Sequence, residues 1–306
     1  MKITELDGTD LELRSKAAAC LKENQPFYVP FWKEDPLLNP TLYSHEQRIE
    51  PCISVVIPSA QKDLNGPLRW KETSGVLEVL LLYNGDEVPP EDSKIRVIKV
   101  PWEGHGLTRQ SAVSLCRGRF VFFTVDDALP LPGIFSELLK AFNDLDGDAF
   151  VARQIPWPDA HSAVRDRLSL WMPYSTCPYL FSQSDHVGTL YLKETLLNDP
   201  LPSVQIAEDL IWSLQKRVFV VPKATILHSH RRDMVSLFLR ERQIYRILTR
   251  MGVAPNIALA RLPLYLVRQM HKHGLQEMVC SLGEELGQIF GKIEGLISKE
   301  RHRSPY

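Results

Sequence analysis

The chain has 306 residues, of which 44% are hydrophobic, so it can bury one substantial core and is longer than the commonest single domain. Its 36 basic and 37 acidic side chains nearly balance, and the net charge of -1 gives no general attraction to nucleic acid. We therefore expect one main domain with appended helices, and no nucleic-acid partner.

Cysteine spacing and apolar runs bear on the cellular compartment. The five cysteines lie far apart with no CxxC spacing, which argues against zinc ribbons, redox motifs and a disulfide framework. The first residues, MKITELDGTDLELR, lack the apolar core of a signal peptide, and no run of about 18 apolar residues occurs. We expect reduced thiols in a cytoplasmic protein that does not span a membrane.

Short apolar runs of strand length begin near residue 52 and alternate with helical patterns. The first five are CISVVIPS (52–59), VLEVLLLYN (76–84), KIRVIKV (94–100), RFVFFTVDD (119–127) and DAFVARQI (148–155). These runs are apolar almost throughout, which is typical of a mainly parallel sheet with helices on both faces. The sequence therefore predicts an α/β fold.

The second half continues this pattern and then becomes helical. A strand is predicted over 187–192, a helix over 206–217 and a strand over 218–229, whereas residues 156–178 look irregular. From residue 233 onward the pattern is helical. Three regions are predicted: 1–50 as an arm packed on the core, 51–232 as the α/β domain, and 233–306 as a C-terminal helical region.

Two adjacent carboxylates, Asp126 and Asp127, follow the apolar run VFFTV. Ligands of open α/β sheets collect beyond the carboxyl ends of the strands. The two charges repel unless they are solvated or neutralised, so one interpretation is a divalent metal shared with a diphosphate. The other is an aspartate pair that caps the turn into ALPLPG, and the residues alone leave both open.

A second pair of carboxylates, Glu208 and Asp209, lies near the start of the helix predicted over 206–217. Carboxylates in a first turn are favoured by the helix dipole, which is a purely structural explanation. The functional explanation is a general base, since a carboxylate poised over a hydroxyl group can take its proton.

Histidines and arginines supply further candidates. His228 and His230 lie two apart at the end of the last predicted strand, so we expect both on one face. They could bind a metal or be ordinary surface or core histidines. Arg109, Arg117 and Arg119 could hold phosphate or be solvated charges at helix ends.

Several enzyme classes lose their main sequence support. The patterns GxGxxG, Walker A, HExxH and GxSxG do not occur in the chain. This argues against a dehydrogenase, a P-loop ATPase, a zincin and an α/β-hydrolase.

Four segments keep a distinctive order and spacing: GHGLTRQSAVSLCRGRFVFFTVDDALPLPG (104–133), ARQIP (152–156), AEDLIW (207–212) and the P-x-A-x-x-x-HSH pattern (222–230). The first segment is similar to a motif of one glycosyltransferase group, in which a helix with the pattern GHG-x-TRN is followed by a strand that ends in QDA-x-P. Together, over residues 53–250, they resemble the family 2 glycosyltransferases, and most closely the rhamnosyltransferase-like members that build bacterial surface polysaccharides. The resemblance implies a GT-A type nucleotide-sugar-binding fold, a Rossmann-like mixed and mainly parallel sheet flanked by helices.

The resemblance also implies an activity and its residues. It indicates an inverting enzyme that moves a sugar, with rhamnose as one candidate, from a nucleotide-diphosphate donor to a glycan or lipid-linked acceptor. Asp209 takes the position of the catalytic base, with Glu208 beside it. The residues implied in donor binding are Pro58, Ser59, Asn84, Arg109, Asp126 and Asp127. The residues implied in holding Mg²⁺ or Mn²⁺ are Asp127, with His228 or His230 as a distal metal or phosphate ligand.

Three departures from the family pattern bear on the donor and the metal. Tyr83 stands where many relatives have an aspartate that holds the nucleoside, Val125 replaces the first aspartate of a DxD triplet, and Gln110 replaces the asparagine of TRN. A UDP- or GDP-linked hexose donor, and a non-catalytic nucleotide-sugar-binding homologue, are therefore alternatives.

The acceptor region is expected between residues 157 and 185 and in the C-terminal helices. Four aromatic side chains there could stack on sugar rings or belong to the core: Trp157, Trp171, Tyr174 and Tyr179.

The segment NIALARLPLYLVRQMHKHG (256–274) mixes apolar and basic residues and contains no acidic one. It predicts either a peripheral contact with the inner membrane face, or packing on the main domain or on a second subunit. Pro263 is expected to kink this helix or to confine it to one side.

Overall fold

The computed structural model describes residues 4–5, 16, 27–28, 49–60, 65–86, 95–157, 160, 162–173, 175–229, 233–257 and 261–303. The arm expected over residues 1–50 lies almost entirely outside these residues; within it, Thr4–Glu5 (β1) pairs in parallel with Phe27–Tyr28 (β2). The chain divides into two compact units, one holding the main sheet and one the C-terminal helices, and each is described by itself.

The first unit contains one sheet of nine described strands: β3 (Ile53–Ser59), β4 (Val76–Tyr83), β5 (Ile95–Lys99), β6 (Phe120–Thr124), β7 (Leu129–Pro130), β8 (Ala149–Ile155), β9 (Tyr179–Phe181), β10 (Gly188–Leu192) and β11 (Val218–Leu227). The strand order is β5-β4-β3-β6-β10-β8-β11-β7, and β9 pairs with β11. Neighbours among β5, β4, β3 and β6 are parallel, as are β8 and β11, whereas β10 is antiparallel to both of its neighbours. The expected mixed, mainly parallel sheet is confirmed.

Helices cover this sheet on both faces. Those before residue 214 are α1 (Asn65–Lys71), α2 (His105–Val113), α3 (Ile134–Asp144), α4 (Ser162–Trp171), α5 (Lys193–Asn198) and α6 (Glu208–Ser213). Val55 and Ile57 of β3 belong to one buried cluster and Val56 to another, because successive side chains of a strand point to opposite faces. The two clusters explain why the strands read as continuous apolar runs.

Three elements differ from the expectations. The stretch 156–178 contains the helix α4, because its prolines flank SAVRDRLSLW and none interrupts it. The helix expected over 206–217 spans only Glu208–Ser213, since the chain turns after it to begin β11. The last strand ends at Leu227, so His228 follows the strand and the same-face argument for His228 and His230 was wrong.

The second unit contains the long C-terminal helices α7 (Met234–Met251), α8 (Leu262–His273) and α9 (Leu275–Arg303). Asp233 caps α7 by accepting the Ser236 backbone N–H at 2.8 Å. Glycines at every fourth position of α9 face α7; a Cβ at Gly287 would lie 2.4 Å from the Phe238 carbonyl oxygen, and one at Gly291 would lie 2.3 Å from that of Arg242. Glycine therefore lets the two backbones approach closely.

Residues 262–273 of the basic segment form α8, and several of its apolar side chains are exposed. Pro263 lies in the first turn, where a missing N–H costs no hydrogen bond, so it begins the helix and does not kink it. No residue of α8 is buried, and Leu264 is 76% exposed. Of the described helices, none is both long enough and apolar enough to cross a bilayer.

Candidate active site

The carboxyl ends of the parallel strands bring several polar side chains to one edge of the sheet. Ser59 ends β3, Asp126 and Asp127 follow β6, and His228 follows β11. Because β10 is antiparallel to β6 and begins where β6 ends, the residues that precede β10 lie at this edge too. This edge of the first unit is the candidate active site.

The two aspartates after β6 have different partners. Asp126 accepts a hydrogen bond from the Ser59 hydroxyl, with Oγ and Oδ2 2.6 Å apart. Burial raises the pKa of Asp126, and the charge of Asp127 adds to this, although the hydrogen bond from Ser59 opposes it. Asp127 points instead toward His228, whose Nε2 lies 3.6 Å from its Oδ1.

Asp127 and His228 fit the role of shared ligands to a divalent cation. A separation of 3.6 Å is too long for a hydrogen bond. Two ligands that are each about 2.1 Å from one Mg²⁺ ion lie at most about 4.2 Å apart, so both could bind the same ion. Among the described residues, no three or more His, Cys, Asp or Glu side chains are grouped to hold a metal by themselves. Diphosphate and water oxygens would have to complete such a site, and His230 lies outside the described residues.

Glu208 is held by two buried partners. Its Oε1 accepts a hydrogen bond from Nη1 of Arg109 at 2.7 Å and lies 2.8 Å from Nδ1 of His186, and the Glu208 and Arg109 side chains are only 4% and 5% exposed. Burial alone would raise the pKa of Glu208, but the hydrogen bond to His186 and the charge of Arg109 lower it to about 2. Glu208 is therefore ionised and fixed in place.

Two local features of the chain place this ion pair. Gly106 lies so close to the loop before α6 that a Cβ there would be 2.0 Å from the Pro202 carbonyl oxygen. Glycine at this position lets α2 approach the loop, and Arg109 follows on the same helix. Ala207 has a φ of 66°, a left-handed conformation that is uncommon outside glycine, immediately before Glu208.

Asp209 differs from its neighbour in its surroundings. Its Oδ1 accepts the Leu210 backbone N–H at 2.8 Å, and no described arginine or lysine is hydrogen-bonded to its carboxylate. Burial raises the pKa of Asp209, the charge of Glu208 adds to this, and the charge of His186 opposes it. A carboxylate with a raised pKa is better suited to accept a proton than one held ionised by an arginine.

The solved structures decide the fold. No protein-family model and no curated protein matches the sequence. The chain is similar to the mannosyltransferase PcManGT from Pyrobaculum calidifontis, solved with GDP-Man and Mn²⁺, at 11% identity over 96% of each chain with a TM-score of 0.51. The chain has a GT-A fold.

Weaker similarities to other structures accompany this one. S. aureus TarS (residues 1-349) matches at 13% identity and a TM-score of 0.46 over 82% of this chain and 73% of that one. GalNAc-T7, solved with UDP, GalNAc and Mn²⁺, matches at 13% identity and a TM-score of 0.45, and the chain spans 43% of its length.

The GT-A sheet brings some of the predicted donor residues together and not others. Ser59 is buried against Asp126, while Pro58 is half-buried and Asn84 is exposed at the end of β4. Arg109, which was expected near the donor, donates a hydrogen bond from Nη1 to Glu208.

Two further arginines lie at the opposite edge of the GT-A sheet from the site. Arg117 is close to Glu78, and Arg119 stacks on Phe120. Both arginines precede β6, so they lie at its amino end. Neither belongs to the candidate site.

The predicted acceptor aromatics are partly core residues. Trp157 is buried and Trp171 packs on Phe181 with ring centroids 5.6 Å apart. Tyr179 is half-buried in β9, and Tyr174 lies outside the described residues.

Sequence reasoning missed three residues of this edge: Gln154 in β8, and Asp185 and His186 just before β10. His186 lies between Glu208 and Tyr191, with Nε2 2.9 Å from the Tyr191 hydroxyl. Gln154 bridges Asp185 and His228. The polar run SQSDH stands directly before an apolar strand, but the run alone does not give the direction of that strand.

Proposed function

We propose that this chain is an inverting glycosyltransferase that transfers a sugar from a nucleoside-diphosphate donor to an acceptor hydroxyl in a single displacement. The observation that carries the proposal is the difference in hydrogen-bond partners: Arg109 and His186 hold Glu208, whereas the Asp209 carboxylate accepts the Leu210 backbone N–H. This contrast occurs at the ligand-binding edge of a GT-A fold.

Asp209 is the base in this proposal. Its carboxylate takes the proton of the acceptor hydroxyl while the hydroxyl oxygen bonds to the anomeric carbon of the donor sugar. The bond from that carbon to the diphosphate breaks, and the nucleoside diphosphate leaves with the electron pair. Glu208 does not exchange a proton; it fixes Arg109 and His186 and so positions the start of α6, where Asp209 lies.

The donor diphosphate is proposed to bind beside Asp127 and His228. These two side chains would hold Mg²⁺ or Mn²⁺, which supplies positive charge to the leaving diphosphate. Ser59 orients Asp126 through their 2.6 Å hydrogen bond, which keeps the end of β6 in a fixed conformation.

For the donor sugar we propose rhamnose carried by dTDP, on the resemblance of residues 104–133 to rhamnosyltransferase-like enzymes. The alternative is a UDP- or GDP-linked hexose. Two observations support this alternative. The similar mannosyltransferase structure contains GDP-Man, and a buried Tyr83 stands where many family members have the aspartate that holds the nucleoside.

The experiment is a panel of nucleotide sugars. Thermal stabilisation of the purified chain, with Mn²⁺ present, identifies the donor, because a ligand that binds the folded state raises its stability by mass action. Transfer or slow hydrolysis of that donor is then measured with the wild-type chain and with Asp209→Asn. Binding without any turnover by the wild type would show a nucleotide-sugar-binding homologue and not an enzyme.

We also propose a cytoplasmic location with a peripheral contact to the inner face of a bacterial membrane, where a lipid-linked acceptor for surface polysaccharide would reside. The support is in α8 and its N-cap: Leu264, Val267 and Met270 are exposed, as are Arg268 and the N-cap residue Arg261. Apolar and basic side chains on one exposed helix suit an anionic lipid surface. A second subunit on the same helix is the alternative.

A further inference from the structure

A row of three buried side chains leads to His228. Gln154 donates a hydrogen bond from its Nε2 to Oδ2 of Asp185, and its Oε1 lies 2.7 Å from Nδ1 of His228. Gln154, Asp185 and His228 are all buried. They come from three different strands or strand ends, so the row is tertiary and not a local turn.

The hydrogens of this row can be assigned from what each group is able to donate. An ionised Asp185 has no proton, and its Oδ1 already accepts the Val187 backbone N–H at 3.2 Å. Its Oδ2 therefore requires a donor, and the NH₂ of Gln154 is that donor. The Gln154 amide is thereby oriented with its carbonyl oxygen toward His228.

This orientation determines which nitrogen of His228 carries the proton. A carbonyl oxygen only accepts, so Nδ1 of His228 must be the N–H that donates to it. In a neutral imidazole the other nitrogen, Nε2, then carries the lone pair. Nε2 is the atom that lies 3.6 Å from Asp127 Oδ1.

We propose that Asp185 and Gln154 are positioning residues that fix His228 as the Nδ1–H tautomer and so hold Nε2 ready to bind the divalent cation. The inference rests on the proposed function, because it assumes that a cation binds between Asp127 and His228. It goes further in naming two residues that never touch the cation and in stating how they act on it. Outer partners that orient a ligating histidine are common in metal sites.

The row can be reversed by one substitution. In Asp185→Asn, the Val187 N–H continues to require an acceptor, so the new amide places its oxygen there and turns its NH₂ toward Gln154. The Gln154 amide then turns over, its NH₂ faces His228, and Nδ1 has to accept. The proton moves to Nε2, the nitrogen needed for the cation.

The first test is the tautomer of His228 in the full chain without metal. Long-range ¹H–¹⁵N spectra report it, with the His228 signals assigned by their loss in His228→Gln. The measurement is made at pH 8.5, where Asp185 is ionised. Burial and the charge of Asp209 raise the pKa of Asp185 to about 7. A neutral ring protonated at Nδ1 is expected. A ring protonated at Nε2, or one that keeps both protons at this pH, overturns the proposal.

The second test compares Mn²⁺ binding, followed by electron paramagnetic resonance of the free ion, in the wild type, Asp185→Asn and the control Asp144→Asn. Asp144 is exposed at the end of α3, so its change from carboxylate to amide leaves the row intact. We expect a 10- to 100-fold loss of affinity in Asp185→Asn, with the proton on Nε2, and no loss in the control. Unchanged tautomer or unchanged affinity in Asp185→Asn overturns the proposal.

Failure of the proposed function gives a different result. If the wild type binds no Mn²⁺ near His228, the metal-dependent reaction is wrong, while the tautomer found without metal still decides whether Asp185 and Gln154 orient the ring. If Asp185→Asn does not fold, the wild-type spectrum alone decides.

Discussion

Exchanging the carboxylate of Glu208 for an amide should destabilise the protein. Glu208→Gln removes the charge that faces Arg109 at 2.7 Å, in a pair whose side chains are 4% and 5% exposed. The native interactions lower the pKa of Glu208 from 4.5 to about 2, which corresponds to about 3 kcal/mol. Removing one partner of a buried ion pair typically costs about 3–5 kcal/mol, because the other charge is left buried without compensation. We expect a loss in this range.

The pH dependence gives the sign of the effect. Because the folded-state pKa is below the usual value of 4.5, ionised Glu208 stabilises the fold above pH 4.5, and this contribution is lost as the pH falls toward about 2. The difference in unfolding free energy between the wild type and Glu208→Gln should therefore be full at pH 7 and should shrink below pH 4.5.

Urea unfolding followed by circular dichroism measures the difference, and Asp209→Asn is the matched control. Among the described residues, no arginine is hydrogen-bonded to Asp209, so its amide variant should keep its stability while losing about 10²- to 10⁴-fold in transfer rate. If Glu208→Gln were as stable as the wild type and inactive, and Asp209→Asn retained near-normal turnover, the roles assigned to the two carboxylates would have to be exchanged.

The proposed metal, the proposed base and the proposed membrane contact can each be tested separately. EDTA should stop transfer and Asp127→Asn should raise the Mn²⁺ concentration needed for half-maximal rate; full activity in excess EDTA would refute a metal role. Since the pKa of Asp209 is raised, the rate at saturating donor should fall as the pH drops through a value above that of an ordinary aspartate, and a profile without this limb would contradict the base assignment. Liposome flotation at low salt should recover the chain with anionic vesicles, and Leu264→Ser with Val267→Ser should reduce recovery; a wild-type chain that stays with the soluble fraction would exclude the membrane contact.

The main strands could be predicted because their physical signal is local. β3 and β4 are buried on both faces, so almost every residue in them had to be apolar, and their bounds differ from the predicted runs by at most one residue. Short elements carry no such signal. β7 and β9 have only two and three residues. The prolines on either side of α4 made the whole stretch look irregular, so the helix between them was not predicted.

One part of the candidate site was predictable because its residues follow a strand. Asp126, Asp127 and His228 do, and the rule that ligands bind beyond the carboxyl ends of strands finds them. Asp185 and His186 precede a strand and reach the same edge because β10 runs antiparallel to its neighbours. A sequence does not state the direction of a strand, so this pair could not be placed.

The roles of Glu208 and Asp209 show a deeper limit of sequence reasoning. The two are adjacent, both lie in the first turn of α6, and the helix dipole acts on both in the same direction. What separates them is distant in the chain: Arg109 lies 99 residues before Glu208, and His186 lies 22 before it. These partners hold one carboxylate ionised, and that fixed charge in turn helps to raise the pKa of the next. The raised pKa of the proposed base therefore comes first from burial and in part from an ion pair that does not itself react.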